Sequence, residues 1–387
     1  AASWTKNPGR VALISVSLRI SSCWIGIRRF LWTKDCNGPL NIIWNIAEMS
    51  IWWILFPVVL VSAGLTGLLR FYAISKKVMD VPNARSSHTV PTPRGGGVAI
   101  VLTFLLVAFL LPLFSILEWR QALLFLLGGG GVALLGFLDD HGHVAARWRL
   151  LGHFMAALVS LFLLAGVPPF KLLGYQWDLG WVGVVLFAFY LVWLLNLYNF
   201  MDGIDGLACL EAIFVCLGGA LVYWMNGKTA LSLIPLLLAF AVLGFLFWNF
   251  PPAKIFMGDA GSGFLGLTLG VLSIQAMWVE PEFFWAWLIL LGVFIVDATY
   301  TLARRLLRGD KVYEAHRSHA YQYASRHFGK HAPVTLGVTG LNLVWLLPMA
   351  LWVASGHLEP ALGILIAYTP LVFLAVKFKA GKLESVG

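Results

Sequence analysis

Aspartates gather in a few short motifs of this sequence. Asp139 and Asp140 stand side by side in GFLDDHGH. Asp202 and Asp205 share NLYNFMDGIDGL with Asn196 and Asn199. Asp259 lies in NFPPAKIFMGDAGSG, and Asp297 stands alone. Carboxylates that converge without enough cations raise one another's pKa. A divalent ion removes that conflict, and Mg²⁺ or Mn²⁺ on hard oxygen ligands also binds substrate phosphates. His316 and His319 flank Arg317 in YEAHRSHAYQ, a spacing that puts both histidines on one face of a helical turn. Arginine and protonated histidine hold a diphosphate by charge-assisted hydrogen bonds. The glycines at 95–97 and in MDGIDG and MGDAGSG let backbone amides approach a phosphate closely.

Each piece alone has an ordinary explanation. A DD pair at a helix end can be solvated, and a DGxDG run can be a plain turn. Paired histidines on a loop are weak signals, and glycines also pack membrane helices. His153, inside an apolar run, reads better as a hydrogen-bonded bundle residue than as a ligand. Cys209 and Cys216, on one helical face, read as core, and Glu211 is ambiguous. The acids rise above these explanations through their placement along the chain.

The chain has 387 residues, 60% hydrophobic and 12% charged, with a mean hydropathy of +0.83. A soluble domain is about 25% charged. This excludes a soluble enzyme, a disordered chain and a disulfide-rich secreted module. Four cysteines are too few and too scattered for a disulfide framework or a zinc site. Eleven segments approach the length a bilayer core needs: 50–69, 96–116, 120–138, 150–167, 179–197, 206–226, 230–249, 261–278, 283–303, 333–354 and 360–376. The expected fold is an all-α, polytopic membrane bundle of about 11 transmembrane helices in one domain over 49–387.

With eleven spans, eighteen Lys and Arg fall on the side that carries the C-terminus and three on the other. The positive-inside rule makes the first side cytoplasmic. The +9 net charge therefore has a topological reason and calls for no nucleic acid. The acidic motifs end or precede helices on that same face, so one catalytic surface at the membrane becomes geometrically feasible. Residues 1–48 carry six further cations on the wrong side, and position 1 is not Met. We read them as a non-native N-terminal extension, with translation starting at Met49. The alternatives are a real arm or a twelfth helix around 11–33.

At these residues the sequence resembles the polyprenyl-phosphate N-acetylhexosamine-1-phosphate transferases, the membrane enzymes of glycosyltransferase family 4. The resemblance runs from Met49 to about 335. It is carried by DVPNARSSHTVPTPRGGG (80–97), LDD (138–140), NLYNFMDGIDGL (196–207), FMGDAGSGFLG (256–266) and AHRSHAYQ (315–322). It implies transfer of a sugar 1-phosphate from a UDP-N-acetyl sugar to undecaprenyl phosphate, with release of UMP. It further implies a multi-pass protein of the bacterial inner membrane, with its active site and C-terminus in the cytoplasm. Mg²⁺ or Mn²⁺ would be the cofactor. The bilayer is a further partner, and a homodimer is the assembly to consider.

By the same resemblance, Asp259 is the principal metal ligand, with Asp202 beside it. Asp139 and Asp140 position the lipid phosphate, Asp139 being the candidate base. Asn199, Asp202 and Asp205 hold the nucleotide. His316, Arg317 and His319 contact the diphosphate or sugar. Arg94, with Arg85 and His88, lines the approach from the first cytoplasmic loop. The phospho-MurNAc-pentapeptide branch carries a denser histidine cluster followed by an acid, whereas this loop reads HRSHAYQ. RSSHTVPTPRGGG resembles the O-antigen-initiating members, which use N-acetylated hexosamines or deoxyhexosamines. The alternatives are the pentapeptide transferase and, in a different class, a secondary transporter. A transporter would place charges near the bilayer midplane.

Overall fold

Apolar runs too long for a soluble core become the helices of a membrane bundle. The computed structural model describes residues 40–82, 90–142, 144–310 and 316–382. Arg85, His88 and residues 1–39 of the expected extension lie outside the described residues. The chain divides into two compact units, Ala1–Ile51 and Trp52–Gly387. Of the first, only the helical residues 40–51 are described; the second carries the membrane bundle.

Helix α1 is Leu40–Ser75, and α2 is Val98–Leu110 with a 3-10 turn at Leu111–Phe114. Then come α3 (Trp119–His141), α4 (Ala146–Leu163), α5 (Gly180–Met201), α6 (Leu207–Met225), α7 (Thr229–Asn249) and α8 (Asp259–Val279). After the pair α9 (Pro281–Leu290) and α10 (Gly292–Leu307) follow the short α11 (Ala320–Phe328) and the spans α12 (Ala332–Ala354) and α13 (Pro360–Lys377). Among the described residues, nine helices are long and apolar enough to cross a membrane. The α9–α10 pair, bent by 70°, brings the number to ten. Leu291, at φ −80° and ψ 5°, sits at that bend. Each of the eleven apolar segments lies on a helix, but the ninth is broken and the second, Val98–Phe114, is short. The protein is a polytopic helical membrane protein.

Helix α8 is the axis of the bundle. Phe264, Leu265, Leu267, Leu269 and Ile274 on it are all 0% exposed. Small residues let its neighbours reach its backbone. A Cβ on Gly266 would lie 2.8 Å from Leu194 O and from the Cα of Leu195 on α5. A Cβ on Gly136 of α3 would lie 2.6 Å from the carbonyl carbon of Asp259 and from Ala260 N. Only glycine permits that crossing, which sets the end of α3 against the start of α8. Asp139 and Asp140 follow Gly136 by less than a turn and a half, so the crossing delivers them to Asp259.

Two short antiparallel hairpins complete the fold. β1 (Met79–Asp80) pairs with β2 (Thr92–Pro93) in the register Met79 to Pro93 and Asp80 to Thr92. β3 (Phe170–Leu172) pairs with β4 (Tyr175–Trp177) at the other end of α4.

Candidate active site

The segment after β2 runs beside the loop that enters α8. Phe256 N donates to Pro93 O at 2.8 Å, Gly96 N to Phe256 O at 2.9 Å and Gly97 N to Met257 O at 2.9 Å. This pairing holds Arg94 over the first turn of α8. Its Nη2 reaches Asp259 Oδ1 at 2.5 Å, and its Nε reaches Asp140 Oδ1 at 3.0 Å. One planar fork thus bridges two carboxylates, a geometry that an ammonium cannot reproduce. Burial disfavours the charge on Arg94, yet Asp259, Asp140, Asp80 and Asp202 outweigh it and raise the guanidinium pKa.

Asp140 also faces the first amides of α8. Asp259 N donates to its Oδ1 at 3.3 Å and Ala260 N to its Oδ2 at 3.4 Å. A carboxylate in that place is favoured by the positive end of the helix. Asp139 points elsewhere: it pairs with Arg149 of α4 and accepts from Val144 N at 3.0 Å. Arg149 Nη1 lies 3.8 Å from Asp259 Oδ2. Asn199, in the last turn of α5, donates to Asp259 Oδ1 at 3.2 Å and to Ser262 Oγ at 3.0 Å. Asp259 is therefore the hub at which α3, α4, α5 and the β2–α2 segment meet.

Asp202 lies just past the end of α5. Burial, then the nearby Asp259, Asp140 and Asp205, hold its carboxyl well above the usual carboxylate range, against the pull of Arg94. Asp205 has a different task. Its Oδ2 accepts from Ala253 N at 3.0 Å and its Oδ1 lies 3.1 Å from His331 Nδ1. Asn249 clasps the same turn, accepting from Gly206 N at 2.9 Å and donating to Ile255 O at 3.0 Å. Asp205, expected to hold the nucleotide, is here engaged in bracing the MDGIDG turn.

The histidine loop differs from the expected helical turn. Helix α11 begins only at Ala320, where a capping box of His319 and Gln322, with Gln322 Oε1 accepting from His319 N at 3.2 Å, is joined by Asp297 of α10, accepting from Ala320 N at 2.9 Å and Tyr321 N at 3.0 Å. His316 and His319 precede the helix, yet their rings stack at 4.8 Å, with Phe200 of α5 at 6.4 and 6.3 Å from them. His319 is 1% exposed, and its Nδ1 lies 3.4 Å from Asp297 Oδ1. In the described residues it packs within the loop, with Nδ1 turned to Asp297. Burial, with His319 and Arg305 beside it, pushes the His316 imidazole down to about 3. His316 is thus a neutral hydrogen-bonding group near neutral pH and not the cation expected from the sequence. Arg317 is half-buried, and its carbonyl accepts from Arg326.

Tyr321 ties this loop to the aspartate turn, its hydroxyl donating to Phe200 O at 2.9 Å. A Cβ on Gly203 would run into Tyr321 Oη. Gly203→Ala is therefore expected to separate the loop from the turn and lower kcat/KM by about tenfold to a hundredfold. Steady-state kinetics beside a thermal melt would check this, and an unchanged kcat/KM would refute it.

A cavity of about 210 Å³ opens beside the hub between α3, α4, α5 and α8. Asp139, Arg149, His153, Asn196, Asn199 and Asp259 form its polar wall, while Val132, Leu135, Leu150 and Leu195 form its apolar wall. The expected hydrogen bond of His153 is absent at Nδ1, which is buried and without a partner among the described residues. Cys209 and Cys216 are core, as the sequence suggested, and Glu211 is buried with Asn342 Nδ2 donating to it at 2.6 Å. Of the residues expected from the sequence, the structure brings Asp139, Asp140, Asp259, Asn199, Asp202 and Arg94 together. Sequence reasoning missed Arg149, counted only as a topological charge, and it gave Asp297 no loop-holding role. Only the tertiary contacts distinguish these two from other loop charges.

The chain that builds this cluster is similar in sequence to known proteins. The family model described as "Glycosyl transferase family 4" matches residues 122–277. A probable undecaprenyl-phosphate N-acetylglucosaminyl 1-phosphate transferase of Bacillus subtilis is 32% identical over 261 residues, 66% of this chain and 72% of the relative. The undecaprenyl-phosphate α-N-acetylglucosaminyl 1-phosphate transferase of Thermotoga maritima is 30% identical over 279 residues, 70% of this chain and 81% of the relative. A phospho-N-acetylmuramoyl-pentapeptide-transferase of Streptococcus pneumoniae is 29% identical over 275 residues, 66% and 81% of the two chains. With its motifs, its membrane fold and these relatives, the chain belongs to glycosyl transferase family 4.

Proposed function

We propose that this protein transfers an N-acetylhexosamine or deoxyhexosamine 1-phosphate from a UDP-sugar to undecaprenyl phosphate and releases UMP. The observation that carries this reading is the Asp259 hub, where two guanidiniums and an amide converge on one carboxylate beside the cavity. Both substrates are polyanions, so their approach needs fixed cations, and Arg94 and Arg149 supply them. An acceptor phosphate oxygen attacks the β-phosphorus of the nucleotide. The bond from that phosphorus to the bridging oxygen breaks, and UMP leaves with its electron pair. A positioned phosphate dianion needs no covalent partner on the protein. Arg149, aimed by Asp139, would orient the acceptor phosphate, and the apolar wall would take the start of the isoprenoid chain. Asn199 would orient the donor.

The donor set suits Mg²⁺ or Mn²⁺. Asp139, Asp140 and Asp259 face Arg94 and Arg149, and Asp202 joins them with its carboxyl held above the usual range by burial, Asp259 and Asp140, a conflict that a divalent ion would relieve. Among the described residues no three His, Cys, Asp or Glu side chains enclose a metal by themselves. An ion here would have to complete its shell with water and substrate phosphate. Asp259 and Asp202 would hold it, and it would screen the diphosphate and the departing UMP. The Lys and Arg distribution supports a site facing the cytoplasm at the bacterial inner membrane. The motif RSSHTVPTPRGGG supports a product that starts lipid-linked O-antigen or another envelope polysaccharide.

The test is UMP release from membranes holding the protein, undecaprenyl phosphate, Mg²⁺ and a panel of UDP-sugars. A UDP-N-acetylhexosamine is expected to give UMP, EDTA to stop it, and UDP-MurNAc-pentapeptide to give none. Release with the pentapeptide donor alone would replace this reading with the reaction named for the streptococcal relatives. No UMP with any donor would reject the transferase reading.

A further inference from the structure

The chain turns back after α13 and lies on the histidine loop. Gly381 N donates to Ser318 O at 2.7 Å. Arg304 Nη1 donates to Ala380 O at 3.1 Å, Arg308 Nη1 to Gly381 O at 2.7 Å and Tyr323 Oη to Lys382 O at 3.0 Å. Ala380 is fully buried and clusters with Ala320 and Ala375, with Tyr300 and Phe378 packed around them. Gly381 sits at φ +70°, and a Cβ there would lie 3.0 Å from Thr301 O and from Arg304 Cβ. An L side chain is thus opposed twice, by the left-handed backbone and by the space.

The loop that this segment touches lies next to the candidate donor site. Ser318 stands between His316 and His319, and its hydroxyl lies 3.0 Å from His316 Nδ1. Asp297 grips the loop from the bundle side, at the amides of Ala320 and Tyr321. Gly381 grips it from the other side, two residues earlier. A loop held at two points has its side chains aimed before substrate arrives, which lowers the ordering cost of binding.

We propose that residues 378–382 form a positioning strap that aims His316 and Arg317 at the UDP-sugar without touching it. This rests on the proposed function, with His316 and Arg317 meeting the donor as the family resemblance implies. The strap makes no contact with the polar wall of the cavity, so it should govern the donor and not the lipid acceptor.

The test compares the full-length wild type with Gly381→Val and the milder Gly381→Ala in membranes. KM for the UDP-sugar is expected to rise about tenfold or more in Gly381→Val and by less in Gly381→Ala. KM for undecaprenyl phosphate should stay within about twofold. Hydrogen exchange without substrate should quicken over 316–321 and stay unchanged over α8. Unchanged exchange and unchanged donor KM would overturn the strap. A matching rise of both KM values, with faster exchange throughout the bundle, would also overturn it in favour of a merely structural turn. If the wild type releases no UMP, the functional reading fails instead, while exchange over 316–321 still judges the strap.

Discussion

Asp259→Asn is expected to lower UMP release by at least about a thousandfold while the protein stays folded in the membrane. The substitution keeps the shape of the side chain and removes its charge. In the structure that charge is shared by Arg94 at 2.5 Å, Asn199 at 3.2 Å and Arg149 at 3.8 Å. Without it, two guanidiniums face one anion fewer, and the proposed Mg²⁺ would lose its principal oxygen ligand. Binding of a UDP-sugar to the inactive variant should weaken and become insensitive to Mg²⁺. Turnover within a few-fold of wild type would remove Asp259 from the metal role and move the reacting centre elsewhere.

Arg94→Ala should cost about a hundredfold in kcat/KM, and Arg94→Lys should recover only part of it. The reason is the fork. Nε and Nη2 hold Asp140 and Asp259 at a fixed separation, whereas a lysine offers one charge at one point. The same contact predicts a second effect of opposite sign. Arg94 occupies Asp259 Oδ1, so its removal should let Mg²⁺ reach half-saturation at a lower concentration even as kcat falls. A Mg²⁺ titration of both variants checks this. Full activity in Arg94→Lys would mean that charge alone matters there, and an unchanged Mg²⁺ midpoint would mean that Arg94 and the metal do not compete.

The six site residues that converge were legible because their signal is local. Asp139 and Asp140 end an apolar run, Asp259 begins one, and Asn199 and Asp202 close a third. Alternation of spans then places all of them at one face. The histidine loop was legible as a motif but not as a conformation. The three-residue spacing of His316 and His319 fits a helical turn, yet the helix starts only after His319, where a local capping box with Gln322 and the distant Asp297 both hold its first amides. The half of that cap supplied by Asp297, some twenty residues earlier, has no local signal. Arg149 was hidden for a related reason. Among many loop cations, only the position of α4 beside α3 singles out the one that reaches Asp139.

Sequence by itself determined the class of the molecule. Apolar runs of membrane length, with charges confined to their ends, admit a helical bundle and little else. The acidic motifs, in order, determined the family. Tertiary structure decided which of the motif residues face the reaction and which hold the others in place. Asp205 and His319 look as catalytic in the sequence as Asp202 and His316, but their polar atoms are turned to His331, Ala253 and Asp297. It also decided that Gly136 and Gly381 matter, since each stands where a backbone or a side chain comes too close for a Cβ. Composition and period report what a residue can do. Which neighbour it meets is set by how helices distant in the chain cross, and that is fixed only when the bundle closes.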